Sequence, residues 1–190
     1  MLQFTTDMKY PRRFFDPTFR RHEKRSATMM ACVLLWSVLS YLVISRGMLS
    51  GAQVIGESMY PTLTDGDRVF LNRLVYRLEP PRRGDVVAVD VPNYDGMSVK
   101  RVIALPGETV QIVNNSVFVN GRQLDEPYLA DEVETWPGAM STNAYQVAPV
   151  CYFVLGDNRE ESLDSRRFGA VSWEWIRGRI AGFGFVEYKY

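Results

Sequence analysis

From Ala52 onward, apolar and polar positions mostly alternate with a period of two. The runs are "AQVIG", "DRVFLNRL", "GDVVAVDV", "SVKRVIAL", "ETVQIV", "SVFVN", "YFVLG" and "RIAGFGFVEY". That period sends successive side chains to opposite faces of a strand. The dipeptides Asp65-Gly66, Asp95-Gly96, Asn114-Asn115 and Asn120-Gly121 separate runs and are of the kind that favours tight hairpins. The pattern predicts a mainly β fold of antiparallel sheets. Residues 124–146, rich in acids and turn formers, are the least regular stretch and read as a surface excursion. Helical signal is confined to an N-terminal segment and one turn at Trp173 to Arg177.

The N-terminal segment changes the picture. Residues 27–45 are nineteen consecutive uncharged residues bracketed by Arg25 and Arg46, close to the roughly 20 that cross a bilayer core as a helix. The apolar core and its lead-in are longer than in a cleaved secretory signal, so residues 27–46 are expected to form one uncleaved transmembrane anchor. Residues 1–26 carry seven Lys/Arg and three acids, a net of +4. The excess of basic residues predicts a cytoplasmic tail, with residues 47–190 outside the plasma (inner) membrane and the chain crossing it once. The overall net charge of zero conceals this split, because residues 47–190 hold 14 basic and 19 acidic residues. An acidic exported domain is no candidate for nucleic-acid binding. The basic tail either meets anionic lipid or is simply solvated.

The exported part contains no histidine; His22 lies in the tail. That excludes a Ser-His-Asp triad, a Cys-His dyad and His-based zinc from residues 47–190. Cys32 and Cys151 fall in different segments, have no evident way to pair and lack ligand spacing. "GDNREESLDSR", 156–166, lacks the alternating ligands and central glycine of a calcium loop. No metal and no cofactor is expected.

Serine with lysine remains. In "SVKRVIALPG", 98–107, a half-buried strand would put Met97, Val99, Arg101, Ile103 and Leu105 on one face and Ser98, Lys100, Val102 and Ala104 on the other. Taken alone, Lys100 there would lay its stem on the sheet and reach water. Ser58, in "VIGESMYPTLTDGD", follows a short apolar run and precedes Pro61; alone it would read as an ordinary turn serine.

Four stretches in order alter that balance. "GESMYPTL", "GDVV", "VKRVIALPGE" and "LGDNREESLDSRRFG", with "VNGRQLDEPYL" between the last two, resemble the boxes of the type I signal peptidase (leader peptidase) family over roughly residues 30–186. The resemblance implies antiparallel sheets of the signal-peptidase type with one N-terminal transmembrane helix. It implies a membrane-anchored serine endopeptidase that removes signal peptides from exported precursor proteins, cutting after small residues in the pattern Ala-x-Ala. Ser58 would be the nucleophile and Lys100 the general base. Ser162 would hydrogen-bond and orient the lysine. Arg101, Asp157, Asp164 and Arg166 would form supporting ion pairs, and Val54, Ile55, Gly56 and Val99 would line the substrate. One branch of the family has a hydroxyl residue where this chain, like another branch, has Gly56, so the resemblance does not name the second oxyanion donor, and main chain or water is expected there.

The chemistry carries a requirement of its own. A free lysine titrates near ~10.4 and would be a cation at neutral pH; only burial brings it to the roughly 7 to 8 useful in a base. The charge of Arg101, facing Asp157 or Asp164 on the other side of the strand, would add modestly. Apolar residues near Met59, Trp136 or Phe185 would either touch the bilayer or stand as scattered surface residues. Two alternatives stand beside this reading: a specialised Ser-Lys peptidase maturing one pilin or conjugation protein, and a non-enzymatic membrane-anchored interaction domain.

Overall fold

The computed structural model describes residues 28–42, 49–94, 96–130, 133–138 and 143–183. The basic tail, both ends of the expected anchor and Phe185 lie outside them. The chain divides into two units at residue 45. In the first, residues 28–42 form helix α1, about 22 Å long at the usual rise. Met29, Val33, Leu34, Leu35 and Trp36 are all exposed along it. No described helix is long and apolar enough to cross a membrane.

The second unit is built of antiparallel strands. The larger sheet has the order β1-β2-β11-β3-β4-β9-β10, from Leu49–Gln53, Arg68–Asn72, Ile176–Phe183, Val86–Val89, Ser98–Ala104, Cys151–Leu155 and Val171–Ser172. The smaller has the order β7-β6-β5-β8, from Arg122–Gln123, Ser116–Val119, Thr109–Val113 and Tyr145–Gln146. Two short helices complete it, α2 (Val75–Leu78) and α3 (Ser165–Phe168). The turn expected at Trp173 is a 3₁₀ turn over Trp173–Trp175.

Two of the four turn dipeptides make two-residue hairpins. Val113 pairs with Ser116 across Asn114-Asn115, and Val119 with Arg122 across Asn120-Gly121. All four turn residues have positive φ, as the favoured hairpin turns require. The other two dipeptides sit in longer connections. Gln53 pairs with Arg68, so Asp65-Gly66 only ends a loop over 54–67, and Val89 pairs with Ser98.

Burial on both faces explains the strands that do not alternate. Val86 and Ala88 of β3 pack with Met59, Leu63, Val69, Leu71 and Ile180. Val87 and Val89 pack on the opposite face with Tyr76, Val102, Tyr152 and Val154. Strand β4 differs from the expected half-buried strand, since every residue from Lys100 to Ala104 is buried. A third cluster joins Ile103, Phe153 and Leu155 to Val110, Ile112, Val117 and Val119 of the smaller sheet.

The irregular segment 124–146 is more than a surface excursion. Leu124 and Tyr128 pack on the third cluster, and Thr135 is buried. Met59, expected at the bilayer, is 1% exposed inside the core. Phe153 is fully buried between the two sheets, so Phe153→Ala should lower the unfolding free energy by about 3–5 kcal/mol in urea titration; a loss under half of that range would contradict this packing.

Candidate active site

The loop over 54–67 holds Ser58 through contacts at its base and its crest. Val54 N–H donates to the Asp67 carbonyl at 2.8 Å and Gly66 N–H to the Val54 carbonyl at 3.0 Å. Gly56 turns the chain with φ +92°, and its N–H donates to Asp65 Oδ1 at 2.8 Å. Met59 and Leu63, each 1% exposed, peg the crest into the core, with Leu63 N–H donating to the Met59 carbonyl at 2.9 Å. Ser58 is therefore positioned by its neighbours in the loop.

Lys100 lies opposite. Its Nζ donates to Ser58 Oγ at 3.0 Å, and the residue is 2% exposed. Burial brings its pKa down from 10.5 to about 8. Asp164 and Asp157 oppose that shift and Arg166 assists it. The assisting cation is Arg166, where the sequence led us to expect Arg101; Arg101 is itself matched at close range by a carboxylate.

That carboxylate is Asp157. Arg101 Nε donates to its Oδ1 at 2.8 Å and Nη2 to its Oδ2 at 2.5 Å. The Thr62 hydroxyl donates to Asp157 Oδ2 at 2.5 Å and accepts from Arg101 Nη2 at 3.1 Å. Arg101 also donates to the Gly84 carbonyl at 3.0 Å and lies 3.9 Å from the centroid of the Tyr128 ring. Asp157 so ties the serine loop, β4 and the segment after β9 into one unit. Asp164 takes the second guanidinium: Arg166 Nε donates to Oδ1 at 2.9 Å and Nη2 to Oδ2 at 2.8 Å. Asp164 also accepts from Gly156 N–H at 3.1 Å and caps α3 through Arg166 N–H.

A cleft of about 360 Å³ opens beside Ser58, lined by Val54, Ile55, Met59, Met97, Ser98 and Val99 among others. One wall is an open strand edge. Strand β9 pairs with β4 only from Arg101 onward, whereas β3 pairs with it from Ser98. Among the described residues no strand covers Ser98 to Lys100 on the β9 side, which leaves room for an added peptide strand. Val54 is buried in the floor and Ile55 is 92% exposed. Gly56 does not line this cleft, so of the four expected substrate residues Val54, Ile55 and Val99 border it.

A family model described as signal peptidase, peptidase S26, matches residues 25–183. The chain is 36% identical over 163 residues to signal peptidase IB of Staphylococcus aureus (strain MRSA252), covering 78% of this chain and 85% of that one. It is 36% identical over 183 residues to signal peptidase I of Bacillus amyloliquefaciens, covering 89% and 98%. The crystal structure of a signal peptidase I from Enterococcus faecalis V583 aligns with a TM-score of 0.47 and 32% identity, over 55% of this chain and 99% of that one. The chain belongs to the type I signal peptidase family, peptidase S26.

In this peptidase the contact implied for Ser162 is not formed. Its Oγ is buried and has no hydrogen-bond partner among the described residues, Lys100 included. The hydroxyl instead presses on Gly156. A Cβ at Gly156 would stand 2.2 Å from Ser162 Oγ and 2.4 Å from the Ser58 carbonyl oxygen.

Residues that sequence reasoning passed over complete the site. Thr62 lies within the serine box, and only the fold brings it to Asp157. Arg159, 2% exposed, donates through Nε to the Gly156 carbonyl at 3.1 Å, through Nη2 to Glu126 at 2.5 Å, and through Nη1 to the Thr135 hydroxyl. It had a legible signal, an arginine inside the last box. Asn158 N–H donates to the Ser58 carbonyl at 3.1 Å.

Gly156 is needed for this close approach. Gly156→Ala would push the Ser58 main chain or Ser162 aside, and misplacement on the scale of an ångström costs about 10²-fold. We expect that loss in kcat with the circular dichroism spectrum retained; a wild-type kcat would contradict the contact.

Proposed function

We propose that the chain is a membrane-anchored endopeptidase that removes signal peptides from exported precursors with Ser58 as nucleophile and Lys100 as general base. The observation that carries this reading is the 3.0 Å contact between Lys100 Nζ and Ser58 Oγ at a lysine only 2% exposed. Burial disfavours the ammonium, so the neutral amine that a base needs is present at working pH.

The steps balance as follows. Ser58 Oγ bonds to the scissile carbonyl carbon while its proton passes to Lys100 Nζ. The tetrahedral oxyanion meets the Ser58 N–H, which has no acceptor among the described residues. The carbon–nitrogen bond breaks, Lys100 returns the proton to the leaving amine, and an acyl-enzyme remains. Lys100 then takes a proton from water, whose oxygen bonds to the acyl carbon; the bond from that carbon to Ser58 Oγ breaks, and Lys100 returns the proton to Oγ. Arg101, Asp157, Asp164 and Arg166 do not touch the reacting atoms. Their role is to hold the serine loop, β4 and Gly156 in register.

The acyl side of the precursor adds as a strand beside Ser98 to Lys100, in the cleft bordered by Val54, Ile55 and Val99. The floor is filled by Met59, Leu71 and Ile180, which favours small side chains such as alanine near the cut. Helix α1, with apolar side chains exposed along its length, supports anchoring in a bilayer. The basic tail supports a cytoplasmic N-terminus and an extracytoplasmic domain.

Ser58→Ala and Lys100→Ala should each lower kcat on a synthetic precursor ending its signal in Ala-x-Ala by about 10⁴-fold or more. Lys100→Arg should fail equally, since a guanidinium keeps its proton. Near-wild-type turnover by either lysine variant would sink the mechanism.

The proton balance gives a second expectation. The reactive form has Lys100 neutral, so kcat/KM should rise with pH through an acid limb at about 8. A profile flat from neutral to mildly alkaline pH would rule Lys100 out as the base.

A further inference from the structure

A second cleft, of about 330 Å³, lies beside the first, lined by Trp136, Gly138, Arg159, Glu160, Ser162, Arg166 and Arg167. One lining residue of each cleft converges on Gly156, which itself lines neither. Ser58, which borders the first, and Ser162, which borders the second, both press on the same point above the Gly156 Cα.

Sheet topology sets the path of a bound peptide. Along Ser98 to Lys100 the edge of β4 is open, but from Arg101 it is taken by Leu155 of β9. A peptide strand lying on the open edge runs into the end of β9 and has to leave the sheet at Ser58. We propose that the second cleft receives the first residues after the cut, with the Trp136 indole as the wall that contacts a side chain of that segment. The inference rests on the reading of Ser58 as nucleophile and extends it to the leaving half of the substrate.

The wall is built for contact. Trp136 is 58% exposed, yet the backbone around it is held on three sides. Its carbonyl accepts from Arg166 Nη1 at 3.3 Å. Thr135 N–H donates to the Asn115 carbonyl at 3.1 Å, and the Thr135 hydroxyl accepts from Arg159. Gly138, at φ +64°, lies so close to Arg166 that a Cβ there would stand 3.1 Å from the Arg166 Cβ. A large apolar ring kept exposed on a fixed backbone loses little freedom when a ligand covers it.

The charges fit a neutral peptide. Arg159 is matched by Glu126 and Arg166 by Asp164. Glu160 and Arg167, both exposed and of opposite sign, remain at the rim. The cleft therefore does not demand an acidic or basic segment, and its selectivity is for an apolar side chain against the indole. Binding energy gained there, away from the reacting bond, can be used in the transition state.

The test uses the full chain in detergent and two substrates that share one acyl side ending in Ala-x-Ala. One carries a coumarin amide as leaving group, the other a short peptide containing leucine and phenylalanine. Wild type should favour the extended substrate in kcat/KM. Trp136→Ala should lose about fivefold to tenfold of that preference, read as the ratio within each variant. Trp136→Phe should retain most of it, and Leu78→Ala, an exposed apolar control on α2, all of it. An unchanged ratio in Trp136→Ala overturns the inference alone, as does an equal loss on both substrates, which would mark Trp136 as a contact with the micelle or bilayer. Failure of wild type to cleave either substrate overturns the Ser58 reading and this inference with it.

Discussion

Burial of one amine is the constraint on which the rest of the site depends. Lys100 sits in the middle of a strand covered on both faces, 3.0 Å from a serine hydroxyl. With its pKa brought to about 8, keeping the group charged at neutral pH costs on the order of 3 kcal/mol against the unfolded chain. Between pH 8 and 10.5 the folded state binds fewer protons than the unfolded one. Stability therefore rises with pH across that window, and the cost is present in full below it. The same desolvation that weakens the fold raises the share of neutral amine at neutral pH.

Such a site tolerates no stray charge, and its surroundings obey that rule. Arg101, Arg159 and Arg166 are all buried, and each is matched by a carboxylate within 2.8 Å. Buried pairs of this kind add little net stability, but removing one partner typically costs about 3–5 kcal/mol. Their contribution here is positional. Asp157 links the serine loop to β4, Asp164 holds Gly156, and Arg159 fastens the segment around Glu126 and Thr135. Gly156, pressed between Ser58 and Ser162, is the point where these restraints converge.

Much was legible before any coordinates. Period-two alternation marked eight strands, and the Asn114-Asn115 and Asn120-Gly121 pairs located two hairpins, because both signals depend only on adjacent residues. The absence of histidine after residue 22 and the ordered boxes singled out Ser58 and Lys100, two side chains that the fold brings to 3.0 Å. Other readings failed where distant segments decide. Met59 reads as surface in its own loop, yet Val86, Ala88 and Ile180 close over it. Residues 124–146 read as a surface excursion, and among their described residues only Thr135 is buried, yet Glu126 meets a buried arginine 33 residues away.

By itself the sequence determined the fold class, the hairpins and the chemical types available for catalysis, since these follow from local periodicity and residue inventory. Only the tertiary structure decided which arginine meets which aspartate, that Thr62 joins Asp157 across 95 residues, that Ser162 turns toward Gly156, and that β11 inserts between β2 and β3. The physical reason is that each outcome is a contact between segments far apart along the chain. Alternation records whether a side chain is buried, but only packing records what it is buried against.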